Sequence, residues 1–193
     1  MEIGRRVVVY GAACSGKSTL ANRIAQSTNV PHIELDALFW TTQWVGKPLE
    51  EFRTEVLTIL DANPDGWVCD GNYSGVRDRI LPLASTVVWL RPPFRISFWR
   101  LLKRTIMRCW NHELLWGNNR ESWRLAFLHR DSLFLYLIRN WHRFHREVER
   151  ALENTPHKAL IIELHSAKEV NSFLASFCET QCKIECLSHF LQD

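Results

Sequence analysis

The sequence predicts an α/β domain, a parallel sheet with helices packed on both of its faces. Three observations carry this expectation. Short apolar runs alternate with segments whose apolar residues recur at helical spacing, as in successive strand–helix units. The first run, Val7-Val8-Val9-Tyr10, leads directly into the glycine-spaced stretch Gly11-Ala12-Ala13-Cys14-Ser15-Gly16-Lys17-Ser18-Thr19. Two later runs end at acids, Asp36 and Asp70, on the carboxyl edge where open parallel sheets bind ligands.

Taken in order, Arg6 to Tyr10 reads as a buried strand. Residues 11–19 fit G-x-x-x-x-G-K-[ST], the pattern of a phosphate loop. Its glycines permit a tight turn that aims backbone N–H groups at an anion, and the helix it opens adds a positive dipole end. All nine residues are therefore expected to line ATP, with Lys17 on the β- and γ-phosphates and the Ser18 hydroxyl on Mg²⁺. Ser18 to Ser27 follows as a helix, with Leu20, Ala21, Ile24 and Ala25 on one side. His32 to Leu35 is a strand ending at Asp36. Pro48 to Leu60 is a helix that places Phe52, Val56, Ile59 and Leu60 together and begins where proline is tolerated. Asn63-Pro64-Asp65-Gly66 is a turn, and Trp67 to Cys69 is a strand ending at Asp70. Arg77 to Leu83 is a short helix, and Thr86 to Leu90 is a strand stopped by Pro92-Pro93. Two long helices, about 94–113 and 122–153, are joined by the polar turn Trp116 to Arg120. Lys158 to Leu164 is the last strand and Lys168 to Phe177 the last helix.

With 193 residues, one domain with a substantial core is expected. No apolar run approaches the length of a membrane span. A secretory leader at Arg5-Arg6 is set aside because cleavage there would destroy the phosphate loop. Six cysteines without a leader then imply reduced thiols and a cytoplasmic location. Cys178, Cys182 and Cys186 recur every four residues with His189 nearby, but they lack a C-x₂-C pair and imply no metal.

The net charge of +3 conceals an asymmetry: residues 91–150 hold 13 Lys/Arg against 5 Asp/Glu, and five of the nine tryptophans. Arg100, Arg104 and Arg108 align on one helical face, and Arg139, Arg143, Arg146 and Arg150 on another. The second row has Glu147 and Glu149 as neighbours, whereas no acid lies between 91 and 112. Phosphoryl transfer needs cations over the transferred group, and a closing lid commonly supplies them. The same block could hold nucleic acid through phosphate contacts and base stacking. A lid needs the same arginines, however, so a small-molecule or nucleotide acceptor takes precedence over nucleic acid.

Asp36 and Asp70 would share the rim with the phosphate loop. A carboxylate there can order the hydration shell of Mg²⁺ or take a proton from an attacking hydroxyl. The plainer alternative is that each caps a turn. The glycines and hydrogen-bonding groups of Gly71-Asn72-Tyr73, together with Arg77, suit an acceptor. Cys14 has no base beside it in the sequence and is not expected to be a nucleophile.

With the phosphate loop, "HIELDALFW", "WVCDGNYSGVRDR" and "ELLWGNNRES" in view, the chain resembles the adenylate-kinase-related P-loop proteins of the topology modulation (FlaR-like) family. The resemblance spans about residues 6–175. It implies a three-layer nucleoside/shikimate-kinase-like fold with a five-stranded parallel sheet and a helical lid within about 94–153. The kinase-like domain would then occupy 1–177 and a C-terminal extension 178–193. The resemblance further implies that Gly11, Gly16, Lys17 and Ser18 hold ATP–Mg²⁺. Asp36 falls where related small-molecule kinases keep a substrate-binding or metal-ordering acid, and Asp70, Gly71 and Arg77 are similar to an acceptor-binding segment. Asp70 also joins Ser18 at the metal, partly through water, while Arg104, Arg108 and Arg120 fall in the lid. The expected activity is transfer of the γ-phosphate of ATP to a nucleotide or a small hydroxylated metabolite; the alternatives are ATP-dependent nucleic-acid binding that affects DNA topology, and ATP hydrolysis with no acceptor but water. One position departs from the family: Arg91 stands where relatives commonly keep an aspartate.

Overall fold

The computed structural model describes residues 4–123, 132–155 and 158–177. In chain order the elements are β1 (Arg6–Gly11), α1 (Lys17–Thr28), β2 (His32–Glu34), α2 (Leu35–Phe39), α3 (Leu49–Asp61), β3 (Trp67–Asp70), α4 (Ser74–Ile80), β4 (Thr86–Leu90) and α5 (Phe94–Asn111). A small hairpin follows, β5 (Leu114–Leu115) and β6 (Asn119–Arg120), then α6 (Leu133–Asn154), β7 (Leu160–Leu164) and a final helix, α7, over 167–177.

Five strands form a wholly parallel sheet in the order β2-β3-β1-β4-β7. A sheet covered on both faces needs strands that are apolar at every position, and β1, β3 and β4 meet this with continuous buried runs. The two-residue period of β1 sends Val8 and Tyr10 to one core, with Phe52, Val56, Val76 and Ile80 from α3 and α4 and Val148 from α6. Val7 and Val9 go to the opposite core, against Leu20, Ala21 and Ile24 of α1 and Leu174 and Phe177 of α7. Each such side chain taken out of water contributes about 1.5–3 kcal/mol. An acid at Val56, which is fully buried, would break this layer.

The helices leaving β1 and β3 therefore lie on opposite faces of the sheet although the two strands are neighbours. Such a divergence opens a crevice at the carboxyl ends of the strands. A third cluster, Ala12, Leu101, Phe134 and Leu137, seats α5 and α6 on the phosphate loop itself.

Several element limits differ from the sequence expectation. The strand expected to reach Asp36 stops at Glu34, and Asp36 lies in the first turn of α2, where the helix dipole favours negative charge. Helix α4 covers Ser74–Ile80 instead of 77–83, because Pro82 has no N–H to continue it and the last turn tightens to a 3-10 turn over Leu81–Leu83. The helix expected over about 122–153 is interrupted: Trp123 is helical, and a helix begins anew at Leu133, where the Ser132 hydroxyl caps it by accepting from Leu135 N. Residues 124–131 and the cysteine row at 178–186 lie outside the described residues. Among the described residues no helix is long and apolar enough to cross a membrane.

Candidate active site

The loop after β1 is held open by its backbone. Gly11 packs so closely that a Cβ there would lie 2.4 Å from Ser15 Oγ. Cys14 and Gly16 take left-handed conformations, at φ 58° and 103°, and Ser15 N donates to Ala12 O at 3.1 Å to close the turn. Lys17 begins α1, and its Nζ reaches back across the loop to Ala12 O at 3.3 Å. The first turn of α1 carries no acid and no side-chain cap, so its N–H groups are open to an anion. Ala13 is half-buried against the α5–α6 cluster, and Thr19 faces outward.

Two buried polar atoms beside this loop, Ser15 Oγ and Arg104 Nε, have no hydrogen-bond partner among the described residues. Buried polar groups are ordinarily hydrogen-bonded, so an orphaned pair flanking a cradle of N–H groups is the arrangement a polyphosphate would complete. Burial pushes the Lys17 ammonium down from its ordinary pKa, and the charges of Asp70 and then Asp36 oppose that shift. Burial likewise pushes the Cys14 thiol up, against the fields of Arg104 and Lys17. A protonated thiol is a poor nucleophile.

Asp70 ends β3 and is 2 % exposed. Its Oδ2 accepts from the Ser18 hydroxyl at 2.7 Å, and its Oδ1 lies 2.7 Å from His32 Nε2. Gly71, at φ 144°, passes so close to Leu35 that a Cβ would lie 2.7 Å from that side chain's own Cβ. Asn72 then bridges the crevice, donating from Nδ2 to Gly11 O at 2.6 Å and accepting from Gly11 N at 3.4 Å. Ser18, Asp70 and Asn72 are thus tied to the phosphate loop as one unit. His32 was missed by sequence reasoning, since a lone histidine in a three-residue strand carries no pattern. Only the pairing of β2 with β3 brings it to Asp70.

Asp36 forms a second unit. Its Oδ1 accepts from the Tyr73 hydroxyl at 2.6 Å. Burial, and then the Asp36 charge, push the Tyr73 phenol well above its ordinary pKa, so the tyrosine stays a donor. The Tyr73 ring packs on Phe39 and Phe52, with centroids 4.7 and 5.2 Å away. Helix α2 is entered through Glu34 without a side-chain cap, so Asp36 is not serving as an Asx cap.

The arginines divide. Arg100 Nη1 donates to Ser15 O at 3.1 Å, a contact to the loop that the four-residue row hinted at but did not select. Arg104 acts electrostatically on Cys14 and Lys17. Arg108 is held by Glu121 at 3.1 Å and Glu113 at 3.7 Å, with its guanidinium 5.9 Å over the Trp116 ring. Arg120 is exposed on β6, where its carbonyl accepts from Trp44 Nε1. Arg77 is 6 % exposed, lies 5.4 Å over the Tyr10 ring and donates to Glu147 O at 3.3 Å, tying α4 to α6. Its placement is in the core beneath the sheet. In the second arginine row, Arg143 pairs with Glu147 at 2.6 Å. At Arg91, the departing position, the side chain bonds Glu163 at 2.9 Å. No group of three or more His, Cys, Asp or Glu side chains is arranged to hold a metal among the described residues.

No protein-family model matches the chain, and neither does any curated protein. Solved structures do. A gluconokinase from Sinorhizobium meliloti aligns over 100% of both chains with TM-score 0.53 at 16% identity. A shikimate kinase from Acinetobacter baumannii, in complex with shikimate, aligns over 93% of this chain and 94% of its own with TM-score 0.53 at 16% identity. One from Bacteroides thetaiotaomicron aligns over 91% and 97% with TM-score 0.51 at 17% identity. The five-stranded parallel sheet of this chain is thus built in the manner of the small P-loop kinases.

Proposed function

We propose that the chain is a phosphotransferase that moves the γ-phosphoryl group of ATP to a hydroxyl of a small acceptor. The observation that carries this reading is the convergence of two carboxylate units on one lysine. Asp70 with Ser18 and Asp36 with Tyr73 both act on Lys17 at the carboxyl rim of the sheet. Its place among small P-loop kinases by fold agrees with the reading, and its sequence resemblance to adenylate-kinase-related topology modulation proteins points the same way. In this reading residues 1–177 form the kinase-like domain and 178–193 an extension.

The residues present fit ATP with magnesium: a glycine-shaped cradle, two orphaned buried polar atoms, and a hydroxyl–carboxylate pair at the foot of the loop. The loop N–H groups and Lys17 would hold the phosphates, and Ser18 and Asp70 the metal, which when bound spreads the phosphate charge. Arg104, with its Nε unpartnered, would stabilise charge on the transferred group, and Arg100 would hold the loop from the α5 side. Asp36 supplies the base. Its Oδ1 is fixed by Tyr73, leaving Oδ2 to orient the acceptor hydroxyl. As the hydroxyl oxygen bonds to phosphorus, the bond to the bridging oxygen breaks with its electron pair left on ADP. The hydroxyl proton passes to Asp36.

Calorimetry tests the first half. Lys17→Ala should weaken MgATP binding by about 1.5–3 kcal/mol, the worth of a charge-assisted contact, while the protein stays folded. Unchanged affinity would remove the loop from the reading.

A second reading, binding of nucleic acid, is favoured by one observation. The outer face of α5 exposes Trp99 and Trp110 at 66% and 78%. Of the basic row, however, Arg100 is bonded to the phosphate loop and Arg108 to two glutamates. Any affinity for single-stranded DNA should then show a shallow dependence on salt.

A further inference from the structure

The acceptor side of the rim is assembled from two segments far apart in the chain. Trp40 and Gly46 pair as an isolated antiparallel bridge, closing a short loop between them. The hairpin of β5 and β6 is docked on that loop. Asn119, only 5% exposed, has its whole amide engaged there: Oδ1 accepts from Trp44 N at 2.9 Å, and Nδ2 donates to Thr41 O at 2.7 Å and Trp116 O at 2.6 Å. Gly117, at φ 64°, lies so close to Thr41 that a Cβ would come within 2.5 Å of its carbonyl. Trp116, at the tip, donates from Nε1 to Glu34 Oε2 at 3.0 Å.

This docking holds Trp116 on Glu34, two residues before Asp36, and ties Trp44 to the hairpin through Asn119. The Tyr73 phenol feels both carboxylates, and Trp40 meets Trp44 edge-on at 5.7 Å. Among the described residues neither Glu34 nor Asp36 is ion-paired. Of the described cations, Lys17 lies in the fields of Asp70 and Asp36, and three others are committed elsewhere. Lys47 is paired with Glu55, Arg53 with Glu50 and the Gly75 carbonyl, and Arg108 with Glu121 and Glu113. An acceptor carrying a carboxylate or phosphate would enter against Glu34, which accepts from Trp116 and has no ion pair among the described residues. A neutral or cationic one would find carboxylate acceptors for its donors and indole faces for its apolar or cationic part.

Resting on the phosphotransferase reading, we propose that Glu34, Asp36 and Trp116 form an acceptor subsite for a hydroxylated compound without a carboxylate or phosphate group, either neutral or cationic. The docked hairpin is the wall of that subsite. Asp36 takes the proton of the phosphorylated hydroxyl, and Glu34, held by Trp116, sets the charge preference.

The test uses the full chain with MgATP and three classes of candidate acceptor. Nucleosides and polyols are neutral, aminosugars and amino alcohols cationic, and sugar acids and nucleoside monophosphates anionic; phosphorus NMR reads the product. A neutral or cationic compound should be the best acceptor. Glu34→Gln and Trp116→Phe should each raise its KM by up to about tenfold, the worth of one hydrogen bond, with KM for ATP within about twofold. Thermal unfolding checks both variants, and if the tryptophan variant is unfolded Glu34→Gln decides alone. An anionic compound as best acceptor, no product from the neutral and cationic classes, or an unchanged KM in Glu34→Gln overturns the inference. If the wild type fails to bind MgATP in calorimetry, it is the phosphotransferase reading itself that falls.

Discussion

The proposed phosphate side and the proposed acceptor side of the rim meet at Asp36, yet the two are built in opposite ways. The phosphate side is local: the consecutive residues between β1 and α1 form the loop, and α5 is laid against it. It keeps two buried polar atoms without hydrogen-bond partners among the described residues, Ser15 Oγ and Arg104 Nε. The acceptor side is long-range, joining segments 75 and 82 residues apart, and the amide of Asn119 is fully hydrogen-bonded there. Unsatisfied buried groups cost stability until something binds them, whereas satisfied ones rigidify what they join. On the proposed reading, the phosphate side gains from its ligand and the acceptor side holds a shape in advance of it. This difference assigns mutational effects to different measurements.

The largest effect is expected where the two sides meet. Asp36→Asn keeps the shape and the Tyr73 contact while removing the base. Phosphate transfer should slow by ~10²–10⁴-fold with ATP affinity little changed. A near-normal rate would leave Asp36 a purely structural residue and detach the acceptor side from the chemistry.

Arg104→Met sharpens the phosphate side. Losing one cation over the transferred group should lower turnover by ~10²-fold. The unliganded protein should be no less stable, because the side chain removed holds a buried Nε without a partner. A clear drop in melting temperature together with full turnover would contradict both halves.

Asn119→Ala does the converse. It leaves the Trp44 N–H and the Thr41 carbonyl unsatisfied, at ~1–3 kcal/mol for each group that stays buried. Denaturant unfolding should report that loss, and the acceptor KM should rise while ATP affinity holds. A variant that instead weakened ATP binding would show that the two sides are not separable.

The smallest expected effect lies away from both, on α6. His145 packs among Trp89, Trp141 and Phe144, and burial lowers its pKa below the ordinary 6.5. Its neutral form is favoured in the folded chain, so below that pH the unfolded chain binds more protons and stability falls. The stability present above pH 6.5 should decline as pH drops through the lowered folded value. His145→Gln should flatten that dependence in urea titrations.

The sequence by itself determined the sheet and the tight loop that follows β1, because their signals are local. Continuous valines announce a doubly covered strand, and β4 lies at Thr86–Leu90 as its apolar run requires. A fixed glycine spacing announces an anion cradle because the loop's geometry depends on those positions alone. Helix ends were less legible, since a capping serine such as Ser132 or a proline such as Pro82 interrupts a periodic pattern without erasing it. Tertiary structure alone decided the rest. It drew His32 to Asp70, Trp116 to Glu34 and Arg100 to Ser15, and it buried Arg77 against Tyr10. The physical reason is that periodicity reports which way a side chain faces on its own element. Which side chain it meets across 38, 82 or 85 residues depends on strand order and on how the hairpin docks.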